Sequence, residues 1–257
     1  CRDNHPMHTN SWLALETSTD LLSLAVARDG QQWTHTSEGG AKSSAVMLPT
    51  IDSLLSAAGL SLRDVQAVVL GRGPGAFTGL RTACSVAQGL AFGADLPVLP
   101  IDTLLAVAEE VRHAQDLDAQ PPVTRVLVVM DARMEQVYTA AYEYAASEAG
   151  PSWRCVQANA VHNPEHLHWP ADWPLDGFVA AGNAWSIYAE RWPAALTAPQ
   201  LRAMPTAAAL LRLAPQAWAQ GLAVPPEEAL PLYIRDKVAQ TTEERMQAKQ
   251  AAAPHAA

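Results

Sequence analysis

The chain has 257 residues, 49% of them hydrophobic and 17% charged, which is enough apolar sequence for one large or two small cores. A net charge of −9 and a pI near 5.3 exclude a general basic surface for nucleic acid. The three cysteines, Cys1, Cys84 and Cys155, are odd in number and far apart, which fits a reducing cytoplasm and excludes a disulfide scaffold. No apolar run is long enough to predict a membrane span. The opening CRDNHPMH lacks the apolar segment of a signal peptide. Residues 1–10 are therefore expected to form a disordered extension, with Met7 as a natural start.

Trp12 to Glu16 (WLALE) reads as a buried strand ending in a carboxylate. After the turn Thr17–Asp20, Leu22, Leu24 and Val26 alternate with small residues as a second strand. Asp29-Gly30 predicts a tight hairpin into a third strand over Gln32–Ser37. A helix follows over Ser44–Ala58, with an irregular first turn at Pro49 and a stop at Gly59. Ser61–Asp64 resembles a capping box on a short helical turn. Val65 to Leu70 is the next strand. It runs into GRGPGAFTGLR (Gly71–Arg81) and a helix over Leu80–Phe92, with Thr78 as its expected N-cap. A strand over Leu96–Ile101 and a helix over Thr103–Val111 follow. The polar stretch His113–Pro122 reads as a linker.

The pattern then restarts. Arg125 to Asp131 (RVLVVMD) is again a buried strand ending in a carboxylate. Strands are expected over Gln136–Tyr144 and Trp153–Ala158, with a turn over Ala146–Gly150 between them. A Pro- and Trp-rich stretch, a short strand Phe178–Gly182, and helices over Ala184–Arg191 and Thr206–Ala219 complete the unit. Pro225 to Arg235 reads as extended and proline-broken, and residues 236–257 as a flexible tail. The recurring order β-β-β-α-β-α predicts an α/β fold of two subdomains, 11–112 and 113–235. The last helix, 206–219, is a candidate to pack back on the first subdomain.

The glycine loop is the most distinctive stretch. A glycine turn entering a helix is a general anion-binding shape. A P-loop, however, needs Gly-x4-Gly-Lys-Ser/Thr, and no lysine follows here. The dinucleotide fingerprint fails as well, because Ala76 stands where the last glycine belongs. The glycines therefore read as shaping a turn that seats a helix. Cys84 falls on the apolar helix face and reads as an inert core residue. No nucleophile elbow or HExxH motif is present, and the helix over Ser44–Ala58 carries no histidine. The cluster His162, His166 and His168 reads as ordinary surface.

LALETSTDLLSLAV, SSAVMLPTIDSLLSAAG, VVLGRGPGAFTGLRTACSVAQGLAFGADLPVLPIDTL, DARMEQVY and PLYIRDKVA together resemble the TsaB (formerly YeaZ) family over roughly Ser11 to Val238. The resemblance implies an actin-like, sugar-kinase-like (ASKHA) fold of two RNase H-like halves. It implies a cytoplasmic, non-catalytic scaffold that supports TsaD as it transfers threonylcarbamoyl to N6 of adenosine 37 of tRNAs reading codons that start with A. TsaD as heterodimer partner, TsaE as third member and a homodimer when TsaD is absent are implied likewise, with tRNA met only through the complex. The chain itself is expected to hold no cofactor or metal; ATP and metal belong to the partner subunits.

On that reading Leu48, Asp52, Leu55, Arg81, Thr82, Ser85, Gln88, Gly89 and Phe92 are the expected partner interface. Glu16, Thr17, Arg72, Gly73, Gly75, Thr78, Asp131 and Arg133 are the residues expected near any nucleotide. Both hairpin turns, Glu16–Asp20 and Asp131–Glu135, lack the glycines that let phosphate approach the backbone, and Glu16 replaces the usual aspartate. The alternative reading is an ATPase or kinase-like enzyme using the inter-domain cleft. A metallopeptidase homologue of the M22 type is the remote one.

Overall fold

A computed structural model describes residues 10–40, 43–115, 124–146 and 150–235. The expected N-terminal extension, most of the linker, most of the Ala146–Gly150 turn and the tail lie outside the described residues. The elements are β1 (Trp12–Glu16), β2 (Leu21–Arg28), β3 (Gln31–Glu38), α1 (Ser43–Ala58), β4 (Ala67–Gly71), α2 (Phe77–Ala94), β5 (Val98–Ile101) and α3 (Thr103–Gln115). They continue as β6 (Arg125–Asp131), β7 (Val137–Ala145), β8 (Ser152–His162), β9 (Val179–Gly182), β10 (Gln200–Arg202) and α4 (Ala207–Ala219).

Two five-stranded mixed sheets share one topology. Their orders are β3-β2-β1-β4-β5 and β8-β7-β6-β9-β10. In each, the first three strands form an antiparallel meander and the last two join in parallel. This is the actin-like, sugar-kinase-like arrangement of paired RNase H-like sheets. Asp29 and Gly30 both take positive φ, 49° and 82°, as the two-residue hairpin requires. Gly59 closes α1 with φ 65° while the Leu60 N–H reaches back to the Leu55 carbonyl. The Asp64 carboxylate accepts from both the N–H and the hydroxyl of Ser61.

Every residue of β1 is buried, because the strand serves two cores. Leu13 and Leu15 face α1 and α2, whereas Trp12 and Ala14 face α3 and α4. β2 does the same with its small residues, so Ser23, Ala25 and Ala27 are buried too. The helices cross over between the halves. α3 packs on β6, β7 and β9, while α4 packs on β1, β2, β4 and β5. Ser23 Oγ accepts the Ala207 N–H at 3.0 Å and fixes the start of α4 there. Each fully buried leucine in such a core contributes about 1.5–3 kcal/mol.

The second half departs from the simple repeat. Among the described residues, nothing equivalent to α1 or α2 covers its outer face. An aromatic cluster of Trp173, Phe178, Trp185 and Tyr188 does so instead. The expected Ala184–Arg191 helix is a series of turns. Ile187 and Tyr188 both bond to the Ala184 carbonyl, Arg191 bonds to Tyr188, and Pro193 stops further growth. One turn of hydrogen bonds does not offset helix nucleation in so short a segment. β10 has only three residues, too few to carry a period, and escapes a sequence reading. Pro49 does not interrupt α1; it lies on the exposed side, where the carbonyl its missing N–H would have bonded can be met by water.

Candidate functional site

The glycine loop is folded onto the first hairpin turn. The Ala76 N–H donates to the Ser18 carbonyl at 2.6 Å, and the Thr17 hydroxyl donates to the Gly79 carbonyl at 2.8 Å. A Cβ on Gly75 would lie 2.4 Å from the Ser18 carbonyl oxygen, and one on Gly79 2.0 Å from that of Thr17. These two glycines are required by close approach of backbone to backbone. Gly73 takes φ 106° and donates its N–H to Thr103 Oγ1 at 3.1 Å. Ala76, not Thr78, occupies the N-cap position of α2, and no side chain caps it. Thr78 lies one residue inside the helix, exposed, and its carbonyl accepts from Thr82.

Glu16 is 2% exposed. Its carboxylate accepts from the Ser18 N–H at 2.7 Å and the Thr103 hydroxyl at 3.1 Å. A Cβ on Gly71 would lie 2.0 Å from its Oε2, so glycine is needed beneath it. Burial raises the Glu16 pKa, opposed by hydrogen bonds from Ser18, Thr103 and Thr17. Glu16 is thus a packed structural carboxyl and does not line the cleft, as the ATPase reading requires. Arg72 is also elsewhere. It pairs with Asp102 at 2.6 Å in a second hollow, beside Tyr142 and Trp153.

The cleft between the halves is lined by the turn Ser18–Asp20, by Pro74–Phe77, by Met130–Met134 and by Leu232–Arg235. Gly75, Asp131 and Arg133 meet there. Arg133 reaches across it, its Nη2 donating to both carboxylate oxygens of Asp20 at 2.9 and 2.8 Å and joining the two hairpin turns. Asp131 accepts from the Arg133 N–H at 2.9 Å and the Tyr188 hydroxyl at 2.8 Å. Desolvation, followed by its hydrogen bond to Asp131, pushes the Tyr188 phenol up to about 12. Among the described residues no group of three His, Cys, Asp or Glu converges to hold a metal ion. His162 and His168 pack ring to ring at 4.6 Å. No described helix is long and apolar enough to cross a membrane.

The second candidate surface is the outer face of α1 and α2. Phe92 is 81% exposed, Leu48 51% and Val46 41%. Asp52, Arg81, Ser85 and Gly89 are exposed around them, and a Cβ on Gly89 would meet nothing within 4 Å. Thr82 is half-buried, and Gln88 is partly engaged by the Ala229 carbonyl at 3.1 Å. Leu55 corrects the expected interface: it is 6% exposed and packs inward against the α1–α2 core. Cys84 also points inward, donating to the Ala229 carbonyl, and burial raises its thiol pKa. Asp20 and Arg235 lie in stretches that carry the family resemblance, but the sequence reading did not single them out as site residues.

Residues 26–242 match a family described as TsaD, tRNA N6-adenosine threonylcarbamoyltransferase. The tRNA threonylcarbamoyladenosine biosynthesis protein TsaB of Escherichia coli K12 is 35% identical over 233 residues, covering 88% of this chain and 95% of that protein. TsaB of Haemophilus influenzae is 35% identical over 240 residues, covering 90% and 96%. Two solved structures from Pseudomonas aeruginosa, one described as YeaZ and one as a protein similar to peptidase YeaZ, are 36% identical. They superpose with TM-scores of 0.76 and 0.78 and cover 88% of this chain and all of theirs. The glycine loop packed on the hairpin turn and the paired sheets are features of a chain that belongs to the TsaB (YeaZ) family.

Proposed function

We propose that this chain acts in tRNA threonylcarbamoyladenosine biosynthesis as a non-catalytic subunit that docks and supports TsaD through the outer face of α1 and α2. The carrying observation is that face: an 81% exposed Phe92 and a 51% exposed Leu48 around Ser85, Gly89 and Gly93. Small residues let a second helix approach closely, while the two large apolar side chains supply area to bury. A second copy of the chain fits the same face when TsaD is absent, and TsaE joins the assembled pair. The sealed Glu16 and the carbonyl-filled glycine loop support the non-catalytic part of the reading.

The test is co-elution on size exclusion with the TsaD of the same organism, read by light scattering. Gly89→Trp and Phe92→Ala are expected to weaken the complex at least about tenfold, as loss of a central interface residue does. Cells carrying Gly89→Trp as their sole copy are expected to lose tRNA modification. Wild-type co-elution by both variants overturns the docking face. Tight ATP binding with turnover by the chain alone, measured by calorimetry with magnesium, overturns the non-catalytic reading in favour of an ATPase.

A further inference from the structure

The segment Ala229–Arg235 crosses the molecule from α2 to the second hairpin turn. Its start is buried on α2, where the Ala229 carbonyl accepts from Cys84 and Gln88. Its middle lies on the glycine loop: the Leu232 N–H donates to the Arg72 carbonyl at 2.7 Å. Tyr233 stacks on Phe77 at 4.8 Å, and its hydroxyl accepts from Arg81 Nε at 3.1 Å. The Arg81 guanidinium in turn lies 3.7 Å over the Phe77 ring. Its end is Arg235, whose Nη2 donates to the Ala132 carbonyl at 3.0 Å, the Arg133 carbonyl at 3.3 Å and Gln136 Oε1 at 2.8 Å.

The turn that Arg235 grips is unusual. Arg133, Met134 and Glu135 take φ of 60°, 53° and 59°, three consecutive residues with side chains in the left-handed region. That conformation is costly for side chains such as these, which are neither glycine, asparagine nor aspartate, and persists only where surroundings over-determine it. It is also what aims Arg133 across the cleft at Asp20. The Arg133–Asp20 pair is itself exposed, 69% and 81%, and an exposed pair is too weak to impose the turn. The turn is closed locally by the Ala132 N–H on the Gln136 carbonyl at 2.9 Å, the Gln136 N–H on the Arg133 carbonyl at 3.1 Å and the Arg133 N–H on Asp131 at 2.9 Å; the three bonds of Arg235 tie it to a segment whose other end is buried on α2.

We propose that Ala229–Arg235 is a strap that holds the 132–136 turn in its left-handed form, and that it couples the setting of the cleft to the first turns of α2. The coupling is a property of the chain alone and does not depend on which partner docks. Relaxing the turn releases Arg133 from Asp20 and opens the cleft mouth. Disturbing the Phe77–Arg81–Tyr233 stack loosens the strap from the other end.

Hydrogen exchange of the purified full chain, read by mass spectrometry, tests this. Arg235→Ala is expected to speed exchange of the 132–137 amides about tenfold, with the β1–β2 meander unchanged. Adding Met134→Gly to that variant is expected to restore at least about half of the lost protection on a logarithmic scale, because glycine takes the left-handed form without strain. Arg81→Ala, on α2, is expected to speed the same amides about threefold through the strap. Unchanged exchange at 132–137 in Arg235→Ala, an equal rise throughout the chain, or no rescue by Met134→Gly each overturns the strap. An unchanged turn in Arg81→Ala overturns the coupling.

Discussion

Gly79 and Gly89 lie on the same helix, and alanine at the two positions is expected to act with opposite sign. Alanine is the better helix former by about 1 kcal/mol, so propensity alone favours both changes. At Gly89 nothing lies within 4 Å of the new Cβ, and propensity decides. At Gly79 the new Cβ would lie 2.0 Å from the Thr17 carbonyl oxygen, a backbone atom that cannot rotate away. The helix would have to withdraw by more than an ångström from β1–β2, breaking the Thr17 hydroxyl bond to the Gly79 carbonyl. Overpacking of this kind costs about 1–3 kcal/mol, and the lost hydrogen bond about 1 kcal/mol more. Against the propensity gain, Gly79→Ala is expected to lose about 2 kcal/mol net. At this chain length 1 kcal/mol moves Tm by about 2–4 °C, so Gly79→Ala should melt about 4–8 °C lower and Gly89→Ala about 2–4 °C higher than wild type. Scanning calorimetry of the three proteins at one concentration decides it. A Gly79→Ala protein that melts at or above wild type would refute the claim that this glycine exists for backbone contact.

Glu16→Gln should change the pH dependence of stability. Burial raises the Glu16 pKa, so the folded state holds the proton more tightly than the unfolded chain does. Its contribution is therefore full below the ordinary carboxylate range and is lost as pH rises through the raised value. The Tm difference between Glu16→Gln and wild type should become more favourable to the variant from pH 4 to pH 8, by thermal scans; a difference independent of pH rejects this. Glu109 has the opposite sign. Desolvation raises its pKa, but hydrogen bonds from Arg112 and Trp153 and the charges of Arg112 and Arg212 outweigh that, so it is lowered. Its stabilisation is present at neutral pH and lost as pH falls through the lowered value. Glu109→Ala leaves Arg212 and the Trp153 N–H without this partner at the α3–α4 crossing and should cost about 3–5 kcal/mol in urea unfolding; under 1 kcal/mol would mean that water already screens the cluster. In Leu48→Asp the new charge sits on the proposed docking face, half in water. It should leave Tm within about 2 °C of wild type while weakening co-elution with TsaD, since a surface change away from the core costs little stability.

Local signals carried most of the first half. Asp29-Gly30 names its own turn, Gly59 its own helix stop, and the alternation in β2 its sheet face. The second half was harder because its outer layer is built from aromatics without a period. Trp173, Trp185 and Tyr188 bury area without needing a helix to carry them. An amphipathic helix announces a face but not the sheet that receives it; helix 206–219 is a candidate to pack back on the first subdomain, whereas nothing in α3 marks its packing on β6, β7 and β9. Contacts such as Asp20 with Arg133, 113 residues apart, are set by the fold as a whole. The same limit explains Arg72: loop membership suggested the cleft, but the strand end turns its side chain to the opposite seam, against Asp102.

The glycine loop shows what a glycine-rich helix start can hold in place of an anion. An anion-binding helix start leaves its first N–H groups facing the ligand. Here the Ala76 N–H is spent on the Ser18 carbonyl, and the Thr17 carbonyl presses on Gly79. Two backbone carbonyls, each the negative end of a dipole, thus face the positive end of α2 and do electrostatically what an anion would. A phosphate could reach that position only by pushing the β1–β2 turn off the helix, and the turn is anchored from below by the buried Glu16. The glycines that elsewhere admit a ligand here admit the chain's own backbone. The gain is rigidity: α2 starts at a fixed point and angle, so Ser85, Gly89 and Phe92 keep one geometry on the outer surface. For the docking role proposed for that surface, a preorganised helix reduces the ordering cost of association, which is a physical use for the loop without any anion.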